Sequence, residues 1–415
     1  MKLIQPFPGW RPKPELVEQI SAPPYDVLNR QEAKELAKDN PNSFLHVSKA
    51  EIDLPDDVSP YDEQVYEAAK KQYKSLQKRG LLKQDPAPYL YFYRLIMDGR
   101  EQLGLVAAAS VPAYNENRIK KHEFTRPAKE DDRTKISEAL GAHSGPVFLT
   151  YRHSKTVDKI AANCVATQTP VYDFTANDGI RHTIWVVSDK TTIDNLVDAF
   201  EALPGLYIAD GHHRSAAASR VAAMREKQGK TQSKDAESSS NRFLSVIFPD
   251  NQMRILDYNR VVTDLNGLSE EEFLAEIAKQ FTITQSPTPF KPSQPNSFGM
   301  YLKNKWYQLK LSADKIDKND PVTCLDVSLL NQYLLDPILG IKDPRRDPRI
   351  DFVGGIRGLQ GLEARVDSKE MTVAFSMYPT ALSELMSVAD ANQVMPPKST
   401  WFEPKLRDGL VIQEI

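Results

Sequence analysis

Residues 206–226 read Leu206-Tyr207-Ile208-Ala209-Asp210-Gly211-His212-His213-Arg214-Ser215-Ala216-Ala217-Ala218-Ser219-Arg220-Val221-Ala222-Ala223-Met224-Arg225-Glu226. An apolar run with strand character ends at Asp-Gly, and an Ala-rich run of strong helix propensity follows over 215–226. Strand, sharp turn and helix therefore succeed one another within a few residues. The first turn of a helix carries unpaired N–H groups and partial positive charge, which attract an anion. Arg214 can take a phosphate through its planar fork, and His212 and His213 can donate or shuttle protons. Asp210 would repel a phosphate, so it makes sense as a group that orients a histidine, binds an ammonium or helps organise a metal ion. The plain alternative is an Asp helix cap followed by surface histidines. Convergence of several phosphate-competent features on one turn favours a site.

Working outward, residues 59–83 read as a helix with Tyr66, Ala69, Tyr73 and Leu76 along one face. Residues 89–95 and 103–111 read as strands around the turn Asp98-Gly99. A polar stretch, 119–143, interrupts them. Residues 146–151 read as a buried strand, 158–167 as a helix, 169–187 as a strand pair and 192–203 as a helix leading into the central turn. Residues 227–240 hold almost nothing apolar and read as a mobile loop or linker. Strands at 243–248 and 253–256, a helix at 270–281, a hairpin at 299–311, a helix at 326–335, a strand at 371–377 and a helix at 380–389 complete the chain. Hairpins mixed with helices predict an α+β protein rather than a regular doubly wound sheet.

With 415 residues the chain is too long for one ordinary core. Three regions are expected: 1–110, 111–265 and 266–415. Hydrophobic content of 40% and charged content of 26% are those of a folded globular chain. A net charge of −3 without clustered Lys/Arg gives no footprint for nucleic acid. Cys164 and Cys324 alone supply neither a disulfide framework nor a cysteine-rich zinc site. Neither a signal peptide nor a membrane span is read, so the expectation is a cytoplasmic protein without a membrane partner. No Gly-x-x-x-x-Gly-Lys-Ser/Thr loop occurs, which excludes ordinary P-loop chemistry.

Three motifs complete the reading: Ala22-Pro23-Pro24-Tyr25-Asp26-Val27, Ala209-Asp210-Gly211-His212-His213-Arg214 and Met395-Pro396-Pro397-Lys398-Ser399-Thr400. Together they resemble, over nearly the whole length, a large bacterial and archaeal family of unknown function. The central motif resembles the signature of the ParB/sulfiredoxin-like superfamily, in particular its free serine kinases. That resemblance implies a ParB/sulfiredoxin-like central domain with mixed α/β flanks. It also implies a phosphotransferase that converts free L-serine to O-phospho-L-serine, with ADP, ATP or pyrophosphate as donor and Mg²⁺ held mainly on the donor's phosphates.

His122-Glu123-Phe124-Thr125 resembles the His-Glu motif of those kinases, whose Glu is the base for the serine hydroxyl. The catalytic candidates are thus Glu123, Asp210, His212 and His213, with Gly211, His212, His213, Arg214 and Lys398 toward phosphate and Tyr25, Asp26, His122 and Thr125 toward substrate. No residue set is read as a protein cage for a metal. A solvated mixed-charge loop is the competing account of 122–133, and tight turns equally explain Gly354, Gly355 and Gly358. Two other functions stay open: a phosphoserine phosphatase using the same site, and a non-catalytic nucleotide-binding module. Sulfiredoxin-type chemistry would need a reactive cysteine near the phosphate motif, which neither cysteine supplies.

Overall fold

The computed structural model describes residues 2–229 and 238–415. Most of the expected 227–240 linker therefore lies outside the described residues. The chain forms two compact units, one of residues 1–253 with 404–415 and one of residues 254–403.

The first unit is built on a nine-stranded mixed sheet. Its strands are β1 (Ile4–Gln5), β2 (Leu90–Met97), β3 (Arg100–Ser110), β4 (Ile119–Lys120), β5 (Val147–Tyr151), β6 (Tyr172–Thr175), β7 (Arg181–Val187), β8 (Leu206–Asp210) and β9 (Arg242–Pro249). They lie in the order β4-β8-β5-β9-β3-β2-β7-β6, with β1 also on β3. Asp98 and Gly99 take φ of +52° and +74°. Two consecutive left-handed residues are what a two-residue hairpin between twisted strands requires. The pairs β4–β8 and β5–β9 are parallel, and the other pairs of the sheet are antiparallel.

The longer helices of this unit are α1 (Glu63–Lys78), α2 (Pro127–Leu140), α3 (Lys155–Thr167), α4 (Lys190–Glu201) and α5 (His212–Lys227). Leu149, Ile208, Phe200, Leu196 and Ala218 share one buried cluster, so strands and helices close a common core. A second cluster joins Tyr73 and Leu76 of α1 to Leu140 at the end of α2 and to Ile412 of the C-terminal segment.

Where three regions were expected, β3 explains why two units form. It pairs with β2 on one side and with β9 on the other, so residues on both sides of the 110/111 boundary belong to one sheet. The C-terminal residues join them: Gln413 and Glu414 pair with His143 and Ala142, and Asp408 bridges Ala22.

The second unit carries a six-stranded antiparallel sheet of β10 (Tyr258–Val262), β11 (Phe281–Ser286), β12 (Ser297–Leu302), β13 (Lys305–Leu311), β14 (Ile350–Gly354) and β15 (Val373–Ser376). The order is β11-β13-β12-β15-β10-β14. The expected 299–311 hairpin turns at Lys303 and Asn304, both at positive φ. A helix at Gly358–Asp367 covers one face through Leu362 and Val366, which pack with Val261, Val353 and Ala374. Among the described residues no helix is long and apolar enough to cross a membrane.

Candidate active site

Helix α5 begins one turn earlier than its alanine content predicts, because Gly211 alone supplies the break. It takes φ of +98° at the N-cap and makes His212, His213 and Arg214 the first three helical residues. No side chain caps that end, so the first-turn N–H groups have no intrahelical acceptor and remain aimed outward along the axis. A Cβ on Gly211 would stand 3.3 Å from Val147 Cα and 3.2 Å from Arg214 Nε. Gly211→Ala is therefore expected to cost about 1–2 kcal/mol of stability from the left-handed backbone alone. Urea unfolding of the variant measures it, and an unchanged midpoint would remove the strain argument.

The long gap between the His-Glu motif and the Asp-Gly turn closes through the sheet. Ile119 and Lys120 pair in parallel with Leu206 and Tyr207, so His122 arrives beside the end of β8. The residues between form α2, β5 to β7 and helices α3 and α4. His122 and His212 meet edge to face, with ring centroids 4.5 Å apart at 87°. Both rings are buried. Burial pushes His122 down to about 4 despite the opposing charge of Asp210. Burial, with His122 alongside, also lowers His212 well below the usual histidine range.

A neutral His212 has one N–H, and its neighbours select which nitrogen carries it. The His122 backbone N–H donates to Nε2 at 3.4 Å. The ring proton is therefore assigned to Nδ1, which lies 3.6 Å from Glu123 Oε2. Glu123 itself is half-exposed. His213 accepts the Arg126 backbone N–H at 3.0 Å. Thr125 Oγ1 donates to the Glu130 carboxylate.

Asp210 accepts the Gly211 N–H at 2.8 Å and faces Lys405 Nζ at 3.5 Å and Arg214 at 3.7 Å. Burial would raise its carboxyl, but Lys405 and then Arg214 hold it well below the usual carboxylate range. Arg214 is turned inward. One terminal nitrogen donates to the Pro146 carbonyl, and the other stands 3.6 Å from Asp26 and 3.7 Å from Asp210. Its side chain is 10% exposed, so it braces the turn rather than presenting an open fork. Tyr25, next to Asp26, lies under the Arg133 guanidinium at 3.7 Å from the ring centroid.

Asp210, Gly211, His212, His213, Arg214, His122, Glu123, Thr125, Tyr25 and Asp26 thus belong to one connected set in the first unit. Lys398 lies in the second unit, at positive φ, with its Nζ 5.4 Å from the Tyr258 ring centroid and its carbonyl accepting from Arg260 at 3.2 Å. Sequence reasoning missed Lys405. Lys405 follows Pro404 just as Lys398 follows Pro397, so the sequence offered the same proline-fixed lysine at both positions. It also treated 127–140 as part of a polar interruption. That stretch is helix α2, with Pro127 at its start and Gly141 at φ +65° at its end. Asp132 is buried in it because Arg133 and the Tyr66 hydroxyl both donate to its carboxylate.

A mixed α/β fold with this His-Glu and Asp-Gly-His-His-Arg constellation defines the class of protein. The chain belongs to the family described as protein of unknown function DUF1015, whose model matches residues 4–328. Comparison with curated proteins finds no match. Among solved structures, the chain is similar to a free serine kinase in complex with AMP, at 12% identity and a TM-score of 0.35, covering 72% of this chain and 86% of that one. It is also similar to SbnI with a C-terminal truncation from Staphylococcus aureus, at 11% identity and 0.37, covering 73% and 85%. A conserved hypothetical protein from Pyrococcus furiosus matches at 13% and 0.35, covering 73% and 93%.

Proposed function

We propose that the chain is a phosphotransferase that acts on free L-serine and forms O-phospho-L-serine, with ADP, ATP or pyrophosphate as donor. The observation that carries this reading is the pairing of Glu123 with a neutral, buried His212 at the uncapped opening of α5. A carboxylate beside an anion-attracting helix terminus is the arrangement needed to deprotonate a hydroxyl next to a phosphoryl group.

In this mechanism the first-turn N–H groups and His213 receive the phosphoryl oxygens, and Arg214 and Asp210 fix the turn that aims them. Glu123 takes the serine hydroxyl proton, with its carboxylate 3.6 Å from the His212 ring. Among the described residues no three His, Cys, Asp or Glu groups converge as a cation cage. Mg²⁺, if held mainly on the donor's phosphate oxygens, would neutralise charge on the group being transferred.

The test is incubation of the protein with L-serine, Mg²⁺ and each donor in turn, with mass detection of phosphoserine. Product with any one donor is the expected result. Phosphate release from phosphoserine without formation from any donor would replace the kinase by a phosphatase, and nucleotide binding with neither turnover would reduce it to a binding module.

A further inference from the structure

Strand β10 of the second unit alternates between two environments, as successive residues of a strand do. Val261 packs with Val353, Ala374 and the Gly358–Asp367 helix, so Tyr258 and Arg260 project from the opposite face of the sheet. Their cross-strand partners on β14 are Gly354 and Phe352. Residues 398–401 lie against this face. The Lys398 carbonyl accepts from Arg260 at 3.2 Å, and the Trp401 indole rests on Gly354, where a Cβ would stand 3.0 Å from its ring atoms. Tyr258 meets Phe352 and Trp401 edge to face, with centroids 5.9 Å and 5.1 Å away. Two cations sit on these rings. The Arg260 guanidinium carbon is 5.5 Å from the Phe352 centroid, and Lys398 Nζ is 5.4 Å from that of Tyr258.

Arg260 is 3% exposed, and an arginine placed that deeply is ordinarily paired with a carboxylate. Its hydrogen bonds go instead to the Tyr258 and Lys398 carbonyls. Burial pulls the guanidinium down to about 10, and the one group that opposes this is Tyr258. Among the described residues neither Arg260 nor Lys398 forms an ion pair. The acids closest to them in sequence are engaged elsewhere. Asp257 takes Lys291 and Asn259, both at 2.7 Å, and Glu403 takes the Trp401 indole N–H at 2.8 Å. Ring contacts attract a cation but leave its charge uncompensated. Arg260 binds the carbonyl of the same residue whose ammonium is the second cation, so both charges belong to one patch. Lys398 is exposed, and the patch is open to solvent on that side.

We propose that the Arg260–Lys398 patch is a binding site for a phosphate dianion, either free inorganic phosphate or the phosphoryl end of a small phosphate monoester. A doubly charged oxyanion matches two cations, where a carboxylate would match one. Arg260 offers the N–H groups that its two carbonyl partners do not take, and Lys398 reaches the anion from the solvent side as a flexible point charge. No step of the serine kinase reading uses Arg260, Lys398 or Trp401, so neither proposal rests on the other.

Trp401, one of four tryptophans, reports on the patch from within it. The experiment follows tryptophan fluorescence of the full chain at about pH 8, where phosphate is largely dianionic. Sodium phosphate and, separately, glycerol phosphate are titrated, with sodium chloride at matched ionic strength as the control. A saturable change with one or both phosphates, absent with chloride, is expected, and the tighter ligand identifies the source. The change should vanish in Trp401→Phe. Lys398→Gln, at an exposed position where folding is not at stake, should weaken the affinity about tenfold by removing a charge-assisted bond. His213→Ala, in the first unit, should leave it unaltered. No saturable change, an equal response to chloride, a signal that survives Trp401→Phe, full affinity in Lys398→Gln or loss of binding in His213→Ala would overturn the proposal.

Discussion

Glu123→Gln is expected to lower kcat for phosphoserine formation by about 10²–10⁴-fold, the usual contribution of a positioned general base. Glutamine keeps the shape of the side chain beside His212 Nδ1, which lies 3.6 Å from the carboxylate in the parent. What it loses is the ability to take a proton. Donor affinity should stay within about twofold, because the groups assigned to phosphate are main-chain N–H and His213, with nothing contributed by Glu123. Single-turnover kinetics together with a donor titration separates these effects. Parental kcat in the variant would take Glu123 out of the mechanism.

The second large effect is expected from Arg214→Ala. The guanidinium sits 10% exposed between Asp26, Asp210 and the Pro146 carbonyl. Removing it leaves two carboxylates facing each other across a cavity. Breaking a buried pair costs about 3–5 kcal/mol. Asp26 and Asp210 are each about one-third exposed, so solvent screening reduces the expected loss to about 2–3 kcal/mol. Urea unfolding should show it, and donor affinity should fall as well because the turn that aims the N–H groups loses its brace. Arg214→Lys should recover little, since an ammonium cannot reach the three acceptors that the planar fork spans. A variant with parental stability but weakened donor binding would instead mean that Arg214 meets the phosphate directly.

Much of the fold was legible because local chemistry and tertiary context agreed. Asp98-Gly99 fixed its hairpin, and the β8–Gly211–α5 junction could be read from an apolar run, one glycine and a string of alanines. The 119–143 stretch was harder. Its helix buries Asp132 and Thr134, polar residues that break the apolar periodicity on which helix reading depends. The end signals were present as Pro127 and Gly141, an asymmetry that marks helix limits without periodicity.

In the site, the histidine pair and Glu123 were visible as motifs, but their contact was not. It depends on the parallel pairing of two-residue β4 with β8, which no local pattern announces. The direction of Arg214 was equally hidden, since an arginine at a helix start reads the same whether it faces ligand or protein. Only the Asp26 and Pro146 contacts settle it, and both partners lie far away in sequence.

The return of residues 404–415 to the first unit has a consequence for synthesis on the ribosome. Ile255 and Leu256 pair with Phe402 and Trp401, so the chain enters and leaves the 254–403 unit at adjacent points. That unit is thus topologically an insertion, and it emerges from the exit tunnel before the unit that hosts it can be finished. A nascent chain halted at Glu403 lacks Lys405, the partner of Asp210, and Asp408, the partner of Ala22. A stop there would release a product whose turn has lost one of its charges, so the segment that follows the 254–403 unit is part of how this site comes into being.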